Sequence, residues 1–243
     1  MSENNTKSLS WQAKLLIAML MMCGGCVTLM IPPLMQARED ARRSTDKGQF
    51  KQLWLASANF DDVYMTLPSE RQKEGKPSFS WQTQILPFME RQEIYDKVNF
   101  DLPWDDIQNR PAFETKIEHY HSRSLPSRES RTAAGYGVTS FSANQLVINN
   151  QTSLSPRDVT DGQSQTILFG EIRQNLPAWG QPGNFRDLTL GINKSPQGFG
   201  GFYKGRIIVS LVDGKIDYVS ENIDPKVLEA LATPDSGDDP GEF

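Results

Sequence analysis

Cysteine is nearly missing from this chain of 243 residues, and both copies, Cys23 and Cys26, fall inside an apolar stretch near the N-terminus. The rest of the chain therefore has no disulfide, no cysteine-based metal site and no thiol nucleophile. Histidine is as scarce, at two. Positive charge is not in excess, since 25 Lys and Arg face 30 Asp and Glu for a net charge of −5. No basic face stands out, which argues against a nucleic-acid partner. Nucleotide-binding and hydrolase signatures are missing too. Gly135-Tyr136-Gly137 has no third glycine, and GFGGFYKG from Gly198 to Gly205 has no Lys-Ser or Lys-Thr to hold phosphate and magnesium. There is no Gly-x-Ser-x-Gly elbow and no His-Glu-x-x-His helix.

His119 and His121 would share a face if the HYH segment were a strand, with Glu118 turned away. Two histidines make half a metal site, so a solvated strand or loop is the plainer reading. Trp104 and Trp179 sit in loop-like sequence, and with Trp81, Phe185, Phe199, Phe202 and Tyr203 they are read as core or loop packing, with stacking on a sugar or peptide as the alternative. The expectation is a protein that is not an enzyme, with no catalytic, cofactor-binding or metal residue and no cofactor.

What the chain does have is one long uncharged run, LLIAMLMMCGGCVTLMIPPLM from Leu15 to Met35. A helix crosses a bilayer with roughly 20 apolar residues, so residues 15–35 read as a transmembrane helix. A cleaved signal peptide, with Lys14 before the run and Gly24 and Gly25 within it, and a lipoprotein signal ending at Cys23 or Cys26 are the competing readings. The membrane would be the first partner, through residues 15–35. Protein partners or further copies would meet the same N-terminal helix. Charge does not settle orientation: Lys7 and Lys14 precede the run, while Arg38, Arg42, Arg43, Lys47 and Lys51 follow it, which by itself would put the C-terminal side in the cytoplasm.

Four segments result. Residues 1–14 form a cytoplasmic tail, 15–35 the membrane helix, 36–233 a stem helix with an α+β domain, and 234–243 an acidic tail. Pro32 and Pro33 should kink or interrupt the first helix. After them Ala37, Ala41, Phe50, Leu53, Trp54, Ser57, Phe60 and Tyr64 recur at helical spacing. A polar loop from Pro68 to Pro77 leads to a second helical stretch over Ser80–Val98, with Pro87 near a start or a break. Short extended runs follow at Tyr136–Phe141, Gln145–Asn149 and Gln165–Ile172. RIIVSLV and the run from Lys215 to Val219 flank Asp213-Gly214, a hairpin signal that calls for positive φ at both central residues. Asp224 caps a last helix with Pro225 at its first position. Helices first and strands later give an α+β fold on an antiparallel sheet. The tail, with Asp235, Asp238, Asp239 and Glu242 and no basic residue, reads as disordered, since it lacks the spacing of a calcium loop.

In order, PLMQAREDARRSTDKGQFKQLWLA, SWQTQILPFMERQEIYDKVNFDLPWDD, VTDGQSQTILFGE and VDGKIDYVSENIDPKVLEAL resemble the blocks of a large bacterial family of unknown function, numbered fifteen fifty-nine and also filed under a solute-binding-protein label. The resemblance covers about Pro33 to Leu231. It implies a prepilin-like start, a pilin-like long first helix whose front half is the anchor, and a sheet-bearing head outside the cytoplasmic membrane. It carries no activity. The chain departs from the family at three places. Ser8 to Lys14 reads SLSWQAK where a prepilin processing segment would stand. Tyr203 stands ten residues before Asp213, where relatives often have histidine. Asp46 or its neighbours and Ser122 occupy the regions of a cysteine pair common in relatives. The expected function is that of a single-pass, pseudopilin-like structural or interaction protein of the inner membrane; a membrane-anchored solute- or glycan-binding module is the alternative.

Overall fold

The computed structural model describes residues 10–70, 76–150 and 154–241, leaving aside the side chains of residues 13–14, 16–18 and 20–34. The chain divides into two compact units, Met1–Ser44 and Thr45–Phe243. Helix α1, Trp11–Tyr64, supplies the described part of the first unit and the opening element of the second.

In the first unit, α1 runs through Pro32 and Pro33 with no break in helical backbone, where a kink or interruption was expected. A proline removes its own N–H from the ladder and crowds the carbonyl four residues back, but the bonds on either side carry the helix on. Arg43 pairs with Glu39 and lies 3.6 Å from Asp40, one helical turn back. Trp11, Leu15, Met19 and Met35 are exposed. Among the described residues no helix is long and apolar enough to cross a membrane. Most of the run 15–35 on which that expectation falls lies outside the described side chains.

The second unit is α+β. Its five-stranded sheet has the order β3-β1-β2-β4-β5, with β1 Phe141–Asn144, β2 Ile167–Glu171, β3 Phe185–Arg186, β4 Arg206–Leu211 and β5 Ile216–Ser220. The sheet is mixed rather than antiparallel throughout. β3 pairs parallel with β1, Ala143 opposite Phe185 and Asn144 opposite Arg186. The chain reaches this edge by a long connection from β2, not by a tight hairpin, and such connections permit parallel pairing. The β4–β5 hairpin forms where Asp213-Gly214 signals it, but with a three-residue loop. Gly214 N–H bonds the Leu211 carbonyl at 3.0 Å and Leu211 N–H bonds the Lys215 carbonyl at 2.9 Å. Only Gly214 has positive φ, +84°, as in a type I turn closed by a left-handed glycine.

The second part of α1 lies on one sheet face. Asp46, Gln49, Phe50, Leu53, Ala56, Ser57 and Phe60 are all buried and recur every three or four residues. Phe50 packs on Phe141 at 4.7 Å. Trp54 donates its indole N–H to the Val212 carbonyl at 2.8 Å, and Lys51 donates to Gly214 O at 3.0 Å. A Cβ on Gly214 would stand 2.4 Å from the Trp54 ring, so the turn and the helix fit only with glycine there. On the opposite face, Leu228 of the last helix and Leu231 just after it meet Ile167, Ile207, Val209 and Leu211.

The stretch Ser80–Val98, read as one helix, is three short pieces. They are α2 Trp81–Gln84, a 3-10 turn Leu86–Met89 and α3 Gln92–Tyr95. Pro87 is the second residue of the middle piece, and Glu90 caps its end with φ +57°. A further turn, α4, spans Arg110–Phe113, and α5 spans Pro225–Ala230. Asp224 caps α5 by accepting from Lys226 N–H at 2.8 Å. The acidic tail expected to be disordered makes several bonds as far as residue 241. Ser236 and Gly237 N–H donate to the Asp161 carboxylate at 2.7 Å each, and Thr233 donates to Asp238 at 2.9 Å. Glu242 lies outside the described residues.

Candidate functional site

Where α1 crosses the sheet, Asp46 is fully buried. Its Oδ2 accepts from the Ser122 hydroxyl at 2.7 Å and the Tyr203 hydroxyl at 2.6 Å, and its Oδ1 accepts from Arg123 N–H at 2.7 Å. Asp46, Ser122 and Tyr203, three residues marked by departure from the family pattern, thus meet at one point. Burial, and then the bond to Asp46, push the Tyr203 phenol well above its usual range. Glu171 of β2 faces the same cluster. Its Oε2 accepts from Ile208 N–H at 2.8 Å, while its Oε1 has no hydrogen-bond partner among the described residues. Burial raises Glu171 to about 8, with the nearby Asp46 carboxylate adding to the rise and the Ile208 bond opposing it. The neutral acid is the form this environment favours near pH 7.

A second buried glutamate is held differently. Glu70 accepts from Gly183 N–H and, at 2.9 Å, from Asn184 N–H. Burial still lifts it to about 7 against these bonds. Asn184 in turn bonds Gln82 at 3.1 Å and takes the Trp81 indole N–H on its carbonyl at 2.8 Å. This network ties the loop before β3 to α2.

On the outer side of α1 there is an open groove of about 280 Å3, lined by Gln52, Leu55, Phe88, Met89, Glu90, Arg91 and His119. Leu55 is half exposed and Phe88 half buried, so the floor is apolar and reachable. His119 Nδ1 is buried without a hydrogen-bond partner among the described residues. Burial lowers the His119 pKa, and the Arg91 and Arg123 cations lower it further, with Glu118 opposing.

The two histidines are not on a strand. His119 sits in the 3-10 turn Glu118–Tyr120 and His121 follows in extended backbone. His121 is buried rather than solvated, and desolvation lowers it to about 4. Among the described residues, no three His, Cys, Asp or Glu gather as a metal would require. Of the aromatics weighed for stacking on a ligand, Trp81, Trp179 and Phe199 are fully buried, and Trp104 packs on Tyr136 at 5.0 Å. Glu171 and Glu70 were missed. The available signal was an acid inside the β-forming run QTILFGEI; Glu70, in a polar loop, offered none.

The family model described as "Protein of unknown function (DUF1559)", labelled SBP_bac_10, matches residues 35–186. No curated protein and no solved structure matches the chain. The matched span opens within α1 and closes at β3, so it takes in Asp46, Glu70, Ser122, Glu171 and the whole groove. With more than half of its length matched, the chain belongs to the DUF1559 family.

Proposed function

We propose that the protein is a pseudopilin-like structural or interaction subunit. In this reading it is held in the cytoplasmic membrane by residues 15–35, with its α+β domain outside the cytoplasm. The observation that carries the reading is the double use of one helix. α1 includes the uncharged run from Leu15 to Met35, and further along it presents the buried face from Asp46 to Phe60 to the sheet. An apolar run of that length suits a bilayer, and a helix that continues from that run into a sheet-bearing unit suits a subunit that assembles through its N-terminal half. The test is alkaline carbonate extraction of membranes containing the full chain, followed by protease treatment of intact spheroplasts. Retention in the pellet with a head that protease can reach is the expected result. Release into the supernatant would overturn the anchor, and a protected head would overturn the orientation.

A second reading, an extracytoplasmic binding module, is favoured by one observation. The groove joins an apolar floor to a few convergent polar groups, the usual character of a small-molecule site.

A further inference from the structure

The groove beside α1 is chemically mixed. Its lining combines the apolar Leu55, Phe88 and Met89 with the polar Gln52, Glu90, Arg91 and His119. The Arg91 guanidinium donates to the Glu90 carbonyl at 3.0 Å through one nitrogen, which leaves further N–H donors in its fork. Arg91 and Arg123 both lie near the His119 ring, whose Nδ1 is buried without a hydrogen-bond partner among the described residues. Arg123 itself is paired with Glu118 at 2.8 Å, as is Lys116 at 3.0 Å, so Arg91 is the cation that faces the groove. Glu90 holds a left-handed backbone, φ +57°, as the cap that closes the Leu86–Met89 turn through its N–H bond to the Leu86 carbonyl. The volume, about 280 Å3, lies just below the range of pockets for drug-sized ligands, roughly 300–1,000 Å3, so only a compact molecule fits.

We propose that this groove binds a small organic carboxylate with a compact apolar body. The apolar body lies against Leu55, Phe88 and Met89, and the carboxylate meets Arg91 and the ring of His119. The proposal names the ligand class for the binding-module reading and is independent of the membrane anchor, because all lining residues belong to the unit Thr45–Phe243.

The test uses the full chain in detergent and N-acetyl-L-leucine as probe. With only two histidines in the chain, imidazole proton–nitrogen NMR resolves His119, with the buried His121 as an internal control. The expected result is a saturable shift of the His119 signals at millimolar probe with His121 unmoved. The His119 titration midpoint should rise on binding, because an adjacent carboxylate favours the imidazolium. N-acetyl-L-leucinamide, neutral but of the same shape, should bind about tenfold more weakly, as should N-acetyl-L-leucine to Arg91→Gln, the loss of one charge-assisted contact. Leu55→Asp puts a carboxylate on an exposed position of the floor and should abolish binding. Unchanged His121 signals verify that each variant is folded. The absence of a saturable His119 shift would overturn the proposal. So would equal affinity for acid and amide, or undiminished binding to Leu55→Asp. Carbonate extraction reads the anchor separately, so either idea can fail alone.

Discussion

On the α5 side of the sheet, Ile167, Ile207, Val209, Leu211 and Val219 meet Leu228 and Leu231, and the cluster is aliphatic apart from Phe199. On the α1 side the same strands present Glu171 beside Phe169 and Ile208, and α1 brings Asp46, bonded to Ser122 and Tyr203, and Gln49, bonded to the Glu118 carbonyl. Aliphatic packing is non-directional, so a helix with an apolar stripe can settle on such a face in several ways. Buried polar groups are satisfied only in one geometry and carry a desolvation cost in every other. The α5 layer thus contributes cohesion, and the α1 layer adds a preferred rotation and register for the helix.

Removing Asp46 should break this contrast with the largest effect. Asp46→Ala removes the acceptor shared by the Ser122 hydroxyl, the Tyr203 hydroxyl and the Arg123 N–H, and leaves buried donors to find new partners. At about 1–3 kcal/mol for each buried group left unsatisfied, a loss of about 3 kcal/mol or more is expected. Ser122→Ala removes one donor and should cost about 1 kcal/mol. Urea unfolding of the full chain in detergent measures both. A loss below 1 kcal/mol for Asp46→Ala would mean that apolar contacts such as Phe50 on Phe141 set the docking alone. On the other face, Leu231→Ala should cost about 3 kcal/mol, within the range for a fully buried leucine. It should do so equally at pH 6.5 and pH 8, because no shifted carboxylate belongs to that cluster.

The elements that could be read in the sequence are those whose signal is local. The β4–β5 hairpin, the capped α5 and the spacing of Phe50, Leu53 and Phe60 came from turn chemistry and periodicity. The family blocks also acquire physical reasons. Trp81 of the Ser-Trp block stacks on Phe169 at 4.5 Å, and Asp161 of the Thr-Asp-Gly block holds the turn at Ser236 and Gly237. What was not legible depends on partners distant along the chain. Asn109 closes the loop from Asn99 to Pro103 with its own side chain, donating to three carbonyls. β3 is two residues long and exists only because β1 offers an edge. The polar point at Asp46 was visible as separate oddities at Asp46, Ser122 and Tyr203. Their meeting needed the fold, since Asp46 and Tyr203 are 157 positions apart. The groove draws on α1, the turn at Met89 and the turn at His119, and no one-dimensional pattern joins these.

Acidity separates the two faces next. Glu171 lies near 8 in the fold and Glu70 near 7, both above the 4.5 of a free side chain. Their folded forms hold protons that the unfolded chain has released, so their contribution is fully present below pH 4.5 and is lost as pH rises through 7 and 8. His121 acts in the opposite sense. It is lowered to about 4 from 6.5, so its contribution is present above pH 6.5 and is lost as pH falls toward 4. Between pH 6.5 and 8 the glutamates act without it, and stability should decline. Glu171→Gln keeps the shape and cannot ionise, so it should flatten that decline while Leu231→Ala leaves its slope unchanged. An equal slope in wild type and Glu171→Gln would show that Glu171 is not the group titrating.

The smallest effect is expected at the margin of the polar face, where Lys47 Nζ lies 4.0 Å from the centroid of the Tyr218 ring and Arg206 lies 4.5 Å from the same ring. Lys47 comes from α1, and Arg206 and Tyr218 come from β4 and β5, so this contact also joins helix and sheet. It is half exposed, however, and a cation over an aromatic face contributes about 0.5–1 kcal/mol in such a setting. Lys47→Met keeps most of the apolar stem and removes the charge, and Arg206 still covers the ring. The expected loss is therefore about 0.5 kcal/mol, read as a coupling between Lys47→Met and Tyr218→Leu in a double-mutant cycle, and it should shrink in high salt. A salt-independent coupling of about 2 kcal/mol or more would place the main lock on α1 at this edge rather than at Asp46. The polar face would then hold the helix by a surface pair, and the contrast with the α5 side would lie in exposure rather than in buried hydrogen bonds.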